Sequence, residues 1–439
     1  MTVSRRTFIV GCSAAIAAMT GGAVRGLAFA QPGDTTHRDI LVVVFLRGGC
    51  DGLSLVAPVN DPFYRGARTE LRVEESGQNA GLLLSNTIPG ADFRLHPRAT
   101  PLQWLYFNRS LAIVHACGLT NGTRSHFEAM DYMEGGLPEG DLPTNGWLGR
   151  YLNSINASGY LPAVAAGTRV PFSMLGFNGA AALTDPASFN LSWNSWRYRS
   201  QLNQALDAFY TGDSPVQRAG RTTLTTIEAI NARLPRDSSR RVIPYTPEPG
   251  VRYPGGRGAS LGNALRTVAS LIKMDVGLLA ATVDYGGWDT HEGQRWILPE
   301  LIAGLSEGLY AFYNDLWRYH DRLTVVVMSE FGRRLKANRS GGTDHGHGNV
   351  MLVLGEGIRG GKMYGVWPGL ATEQLDNGVD LAITTDYRTV LAEILVKRGG
   401  LQTVDQVFPG FRGSPLGLAY SPGETIERPN RVNLPLVSR

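Results

Sequence analysis

Residues 40–46, Ile-Leu-Val-Val-Val-Phe-Leu, form an apolar run without polar alternation, which predicts a strand buried on both faces. Similar runs recur at 111–116, 277–283, 323–328 and 350–354. Between the third and fourth, apolar positions take a helical period over 295–319, so 277–328 reads as a strand-helix-strand unit. Weaker strands are expected at 161–166 and 172–175. Helical patterns cover 198–234, 259–274 and 386–398, the last opened by Thr385 as a candidate cap. Strand and helix alternate along the chain, which indicates an α/β fold. Residues 58–100 are rich in turns and charge and read as a cap inserted over the strand ends. The Arg/Pro-rich stretch 235–258 reads as a mobile surface connection, and 413–439 as an extended tail. No internal repeat is evident.

The first 30 residues follow a different logic. Ser4-Arg5-Arg6-Thr7-Phe8-Ile9 is a twin-arginine export signature, followed by an Ala/Gly-rich, weakly apolar stretch and an Ala28-Phe29-Ala30 cleavage pattern. The chain is therefore expected to use the twin-arginine export machinery and to be periplasmic or secreted. Gly11, Gly21, Gly22 and Arg25 interrupt the apolar stretch, which argues against a stable membrane anchor. Cys12 completes a sequence resembling a lipoprotein box, but cleavage there would leave too short an apolar region. Of 439 residues, 42 are basic and 38 acidic, and three basic but no acidic residues fall in the leader. The remainder is close to neutral, so no nucleic-acid partner is expected.

Candidate chemistry gathers beyond the strand ends. Gly286-Gly287-Trp288-Asp289-Thr290-His291 follows the third run, Glu330 follows the fourth, and Asp344-His345-Gly346-His347 precedes the fifth. In an open parallel sheet the carboxyl ends share one edge, so Asp289, His291, Glu330, Asp344, His345 and His347 can converge as oxygen and nitrogen ligands of a divalent metal. Taken singly, each is better read as a turn or cap residue, and it is the cluster as a whole that points to metal. Asp51, in Arg47-Gly48-Gly49-Cys50-Asp51-Gly52 after the first strand, is expected to join them. After the second strand, Ser125 and Glu128 have the spacing of a capping box. A hydroxyl at a helix N-terminus also suits a nucleophile that takes up a phosphoryl group, with Arg124 pairing the anion. His126 is either a metal ligand or, more ordinarily for a lone helix histidine, a packed one.

Asp51, Ser125, Asp289/His291, Glu330 and His347, in this order, resemble the alkaline phosphatase and sulfatase superfamily. More narrowly, Arg-Gly-Gly-x-Asp-Gly, Arg-Ser-His-Phe, Gly-Trp-Asp-Thr-His, Ser-Glu-Phe-Gly-Arg and Asp-His-Gly-His-Gly-Asn are similar to an uncharacterised bacterial family of twin-arginine-exported proteins, over residues 38–412. The resemblance implies a three-layer α/β/α sandwich around a largely parallel sheet, and one or two ions of zinc, manganese or magnesium. One ion would be held by Asp289, His291 and His347; the other by Asp51, Ser125 and Glu330. Phe331 stands where the superfamily's phosphatases carry a further ligand, so His345 or Asp344 would have to supply it, or the second site would be weak or empty. No Cys or Ser lies in a Cys-x-Pro-x-Arg type motif, which disfavours a sulfatase. The implied activity is hydrolysis of a small phosphate or related anionic ester by Ser125. The alternative is a catalytically degenerate member acting as a periplasmic binding or assembly protein. Finally, Cys50 and Cys117 each lie just beyond a strand. If those strands are parallel neighbours, an oxidising compartment would favour a disulfide between them.

Overall fold

The computed structural model describes residues 39–140, 143–191, 199–421 and 423–426. The predicted leader, residues 1–30, and the last part of the predicted tail lie outside them. In chain order the strands are β1 (Ile40–Leu46), β2 (Val56–Pro58), β3 (Leu82–Leu83), β4 (Phe93–Leu95), β5 (Leu111–Gly118), β6 (Ala163–Ala165), β7 (Ala180–Ala182), β8 (Ala280–Tyr285), β9 (Leu323–Met328), β10 (Arg333–Ala337), β11 (Thr343–His345), β12 (Asn349–Leu354), β13 (Lys362–Tyr364) and β14 (Thr385–Asp386).

A nine-stranded sheet runs β13-β5-β12-β9-β1-β8-β6-β7, with β14 also on β5. Its pairings are parallel except at β12, which is antiparallel to both β5 and β9. Period-two alternation along β1 divides the core. Ile40, Val42, Val44 and Leu46 pack with the helices Thr100–Phe107, Pro215–Arg233, Ala259–Lys273 and Gln294–Asp315. Leu41, Val43 and Phe45 face the helices His126–Gly135, Trp147–Ser154 and Tyr387–Lys397. Apolar side chains on both faces of the strand thus require a helical layer on each side, and the fold is a mixed α/β sandwich around a mostly parallel sheet.

The strand-helix-strand unit read at 277–328 is present, with β1 lying between its two strands and parallel to both. Several expectations need correction. Residues 172–175 form a 3-10 turn, Phe172–Met174, and the edge strand is β7 instead. The helix predicted over 198–234 is two helices, Arg199–Phe209 and Pro215–Arg233, the second started by Ser214 and Gln217 in a capping box. Asp386, not Thr385, caps the last helix, its side chain accepting from the Arg388 amide. Residues 235–258 are anchored, since buried Asp315 accepts from Tyr245 Oη at 2.6 Å, Tyr253 Oη at 2.7 Å and the Glu248 amide at 2.8 Å. The start of the tail is also docked, with the Gly417 and Ala419 amides donating to the Glu393 carboxylate. Residues 58–100 carry a small antiparallel sheet, β2-β4-β3, and the helix Pro62–Ala67. Among the described residues no helix is long and apolar enough to cross a membrane.

The expected disulfide is absent. Cys50 and Cys117 are buried free thiols. Strands β12 and β9 intervene between β5 and β1, so the parent strands lie roughly 14 Å apart at about 4.8 Å per step, beyond bonding reach. Burial raises both thiol pKa values, which leaves them unreactive. Unfolding the purified protein in denaturant without reductant should therefore leave both Cys50 and Cys117 titratable; protection of the pair would contradict this strand order.

His115 on β5 is fully buried, and burial holds its pKa down to about 4 even though Nε2 lies 2.9 Å from Val56 O. The unfolded chain takes up this proton near pH 6.5, whereas the native state resists it until about 4. Stability from neutral His115 is thus complete above pH 6.5 and is lost as pH falls towards 4. Chemical denaturation across that window should show a shallower loss for His115→Gln, by at most about 1.4 kcal/mol per pH unit. An unchanged slope would count against a neutral buried imidazole.

Candidate metal centre

The C-terminal ends of β1, β5, β8 and β9 and the N-terminal end of antiparallel β12 meet on one edge of the sheet. Tight turns there need glycine. Gly48 has φ +118°, and a Cβ on it would lie 2.5 Å from the Asp289 amide nitrogen; a Cβ on Gly49 (φ +67°) would strike the Phe331 ring. The chain leaving β1 can therefore pass directly against the chain leaving β8.

On this edge His126, Asp289 and His345 place ligand atoms within 4.8 Å of one another. Around Asp289 Oδ1 lie His126 Nε2 at 3.4 Å, His291 Nε2 at 3.0 Å and His345 Nε2 at 3.3 Å. The Nε2 atoms of His291 and His345 are 2.8 Å apart. Each ring is held from behind. Nδ1 of His126 lies 2.7 Å from Glu330 Oε1, Nδ1 of His345 lies 2.8 Å from the Arg124 carbonyl, and Nδ1 of His291 lies 3.3 Å from Asp344 Oδ1. An acceptor behind each Nδ1 keeps the hydrogen there in a neutral ring, so the three Nε2 lone pairs all point at the carboxylate. Such lone pairs repel unless a cation or a proton lies among them. His126 Nε2 is buried and has no hydrogen-bond partner. Three imidazoles and one carboxylate, backed by carboxylate and carbonyl acceptors, fit a divalent first-row ion.

Electrostatics keeps the ligands in binding form. Burial works against the charge on Asp289, but the Arg333 hydrogen bond and charge outweigh it and lower its pKa to about 2. Arg333 Nη2 sits 2.6 Å from Asp289 Oδ1. Glu330 is likewise held below the usual range, the hydrogen bonds from His126 and the Gly48 and Gly49 amides overcoming its burial. The Glu330 bond in turn raises the pKa of His126, whereas burial lowers that of His345. Asp344 is lowered chiefly by its bond from Asn338. Phe331 is buried beneath the site, its ring centroid 4.8 Å from those of both His126 and His345. It forms an apolar wall where a second set of ligands was expected.

Not all predicted residues join this group. Glu330 and Asp344 stand behind the imidazoles; the Glu330 oxygens are engaged by His126, the Gly48 amide and Ser329 Oγ. Asp51 is buried and ion-paired with Arg68, and it also accepts from Ser54 Oγ at 2.7 Å and Gln294 Nε2 at 2.5 Å. Its Oδ2 is thereby committed, although Oδ1 has no hydrogen-bond partner. His347 lies apart, with Nδ1 2.7 Å from Asp376 Oδ2 and Nε2 near the carbonyls of Leu119 and Asn121. All its ring nitrogens face acceptors within the protein, so none is left for an ion. The guanidinium of Arg124 is paired with buried Asp380. Ser125 is exposed and is the N-cap residue of the helix His126–Gly135, but its hydroxyl makes no capping bond, and the reciprocal half of the capping box is missing too, since the Ser125 amide donates to Thr123 Oγ1 while Glu128 accepts from Thr123 Oγ1 at 2.6 Å. Arg68, Gln294 and Arg333 were not anticipated. Nothing in the local sequence separates Arg68 or Gln294 from surface polar residues, whereas Arg333 closes the Ser-Glu-Phe-Gly-Arg motif and could have been noticed there. His126 could have been ranked higher by the rule used for Asp51, since it also follows a buried strand closely.

The model of a family described as "Protein of unknown function (DUF1501)" matches residues 38–427. No curated protein matches the chain. Among solved structures, the chain is similar to Ps i-CgsB, with 10% identity over 85% of this chain and 74% of that one and a TM-score of 0.39. It is similar to a protein in the alkaline phosphatase superfamily from Vibrio parahaemolyticus, with 11% identity over 73% and 61% and a TM-score of 0.31. A third is the C-terminal periplasmic domain of EptC from Escherichia coli in complex with zinc, with 9% identity over 75% and 77% and a TM-score of 0.34.

Asp51→Ala should separate structure from ligation. Removing one partner of the fully buried Asp51–Arg68 pair is expected to cost about 3–5 kcal/mol of stability in denaturant melts. The fraction that folds should retain the metal content of the unsubstituted protein. Loss of metal from folded Asp51→Ala would place Asp51 among the ligands after all.

Proposed function

Because the chain belongs to the DUF1501 family, whose description assigns no activity, we propose from its own geometry that it is an exported, metal-dependent hydrolase of phosphate or related anionic esters, on an alkaline-phosphatase-like scaffold. One observation carries this reading: three imidazole Nε2 atoms converge on Asp289 Oδ1 while an acceptor fixes the far nitrogen of each ring. His126, Asp289, His291 and His345 would hold one ion, and the imidazole-rich set favours zinc over manganese or magnesium. When bound, the ion would polarise an ester oxygen and offset the charge that develops on it. The site suits an incoming substrate, since the Asp289 and His291 side chains are 48% and 38% exposed.

Ser125 is the proposed nucleophile. Its exposed hydroxyl precedes His126 and sits at a helix N-terminus, whose free amides favour an anion. The Oγ–P bond would form as the bond to the alcohol breaks, the serine proton leaving with the alcohol. Water would then release phosphate and restore the hydroxyl. Arg333, paired to Asp289, would keep that ligand ionised throughout. Folding before twin-arginine export would let the ion be loaded in the cytoplasm. The commitment of Asp51 to Arg68 and the apolar wall at Phe331 favour a single ion, and they also motivate a second reading, a metal-binding protein without turnover.

Elemental analysis of purified protein should find one divalent ion per chain, lost in His126→Ala and in His345→Ala. As pH falls the ion should dissociate, because His126, with its pKa raised by Glu330, takes a proton on the nitrogen that would otherwise bind metal. Assays with p-nitrophenyl phosphate and its diester, with added zinc, manganese or magnesium, should show turnover that Ser125→Ala abolishes while metal stays bound. Bound metal with no turnover would favour the binding protein; no metal would remove both readings.

A further inference from the structure

His291 is the least enclosed of the three imidazoles. Its side chain is 38% exposed, against 21% for His126 and 22% for His345, and those two rings also pack on Phe331. The carboxylate behind it, with Asp344 Oδ1 at 3.3 Å, is itself 48% exposed and on its own would turn towards water. Burial therefore does not explain why this ring points at Asp289, but hydrogen bonding from another part of the chain does. We infer that Asn338, in the turn between β10 and β11, is the positioning residue that places His291 among the ligands, an inference that rests on the metal-centre reading above.

The amide of Asn338 is used in full. Nδ2 donates to the His291 carbonyl at 2.9 Å and to Asp344 Oδ1 at 3.0 Å, while Oδ1 accepts from the amides of Ser340 at 2.9 Å and Gly342 at 3.0 Å. Two donors and two lone pairs are all that a primary amide has. Its orientation is fixed too, since the flipped amide would set its NH2 against two N–H donors and its oxygen against a carbonyl and a carboxylate. The two bonds to oxygen close the loop 338–342, and the two from nitrogen draw that loop against His291. The loop follows the chain there almost residue by residue. The Thr343 amide donates to the Thr290 carbonyl at 3.3 Å, and the carbonyls of Ser340 and Gly341 accept from the amides of Gly293 at 3.3 Å and Gln294 at 3.0 Å. A Cβ on Gly342 would lie 2.3 Å from the carbonyl oxygens of both Thr290 and His291, so the approach needs glycine. One side chain thus holds the backbone of His291 directly and its far ring nitrogen through Asp344. Aspartate at 338 could not donate, and glutamine would be one methylene too long.

Zinc affinity of the full chain, read by competition with a chromophoric chelator, tests this as a double-mutant cycle. Asn338→Asp keeps the acceptor that closes loop 338–342 but loses both donors and sets a second carboxylate against Asp344. It should fold, as circular dichroism would show, and bind zinc about 10–100-fold more weakly. In a His291→Ala chain, whose affinity is already reduced, the same substitution should weaken binding no further, because Asn338 acts through that ring. A residue that merely held this edge together would loosen the remaining ligands as well, and the two losses would multiply. Should Asn338→Asp fail to fold, Asn338→Ser takes its place in the cycle, since its hydroxyl can accept from the Ser340 amide but cannot reach His291 and Asp344 together. Equal zinc affinity with and without the substitution, or multiplied losses in the double variant, would overturn the role of Asn338 and leave the metal centre standing. No zinc in the unsubstituted chain would remove both.

Discussion

The buried guanidinium of Arg333 is the contact on which the candidate metal centre depends. Its Nε donates to the Gly49 carbonyl at 2.7 Å and Nη1 to that of Thr343 at 2.8 Å, while Nη2 reaches the carbonyls of Gly48 and Trp288 and the Asp289 carboxylate. One planar fork thus fastens the loop after β1, the loop after β8 and the hairpin strand β11 to each other. A lysine, with a point charge and three donors, could not satisfy so many carbonyls in fixed directions. The two glycines at 48 and 49 exist in the same context, because any side chain there would separate loops that the guanidinium draws together.

From this fastening follows the electrostatic character of the edge. Asp289 stays ionised beside Arg333, and the imidazoles around it are oriented from behind by Glu330, Asp344 and a backbone carbonyl. The result is electron-rich towards the solvent and satisfied towards the core, an arrangement that needs positive charge at its mouth. Antiparallel β12 contributes by bringing a chain segment into this edge from the opposite direction, which is how His345 arrives facing residues that follow β5 and β8.

The opposite edge of the same sheet is built on another principle. There, the Arg359 and Lys362 side chains rest on the rings of Tyr420 and Tyr364 beside a cleft. Tight turns and acids dominate one edge, rings and basic residues the other. The sheet between them is apolar on both faces and serves both edges as rigid support.

The sequence alone determined the strands at 40–46, 111–116, 323–328 and 350–354, the α/β class, and the gathering of Asp289, His291 and His345 on one edge, because apolar runs and the carboxyl-end rule are local or topological regularities. It could not determine the lateral order of strands. That order inserted β1 between β8 and β9 and put two strands between the segments bearing Cys50 and Cys117. Nor could it decide which acid stays open. Asp51 and Asp289 look alike in sequence, each beyond a buried strand and among glycines. Only folding brought Arg68 from the inserted cap onto Asp51, Arg333 onto Asp289, and Asp376 and two carbonyls onto His347. The pairing of a buried charge depends on whichever partner the tertiary structure delivers within a few ångströms, and spacing along the chain carries no record of it.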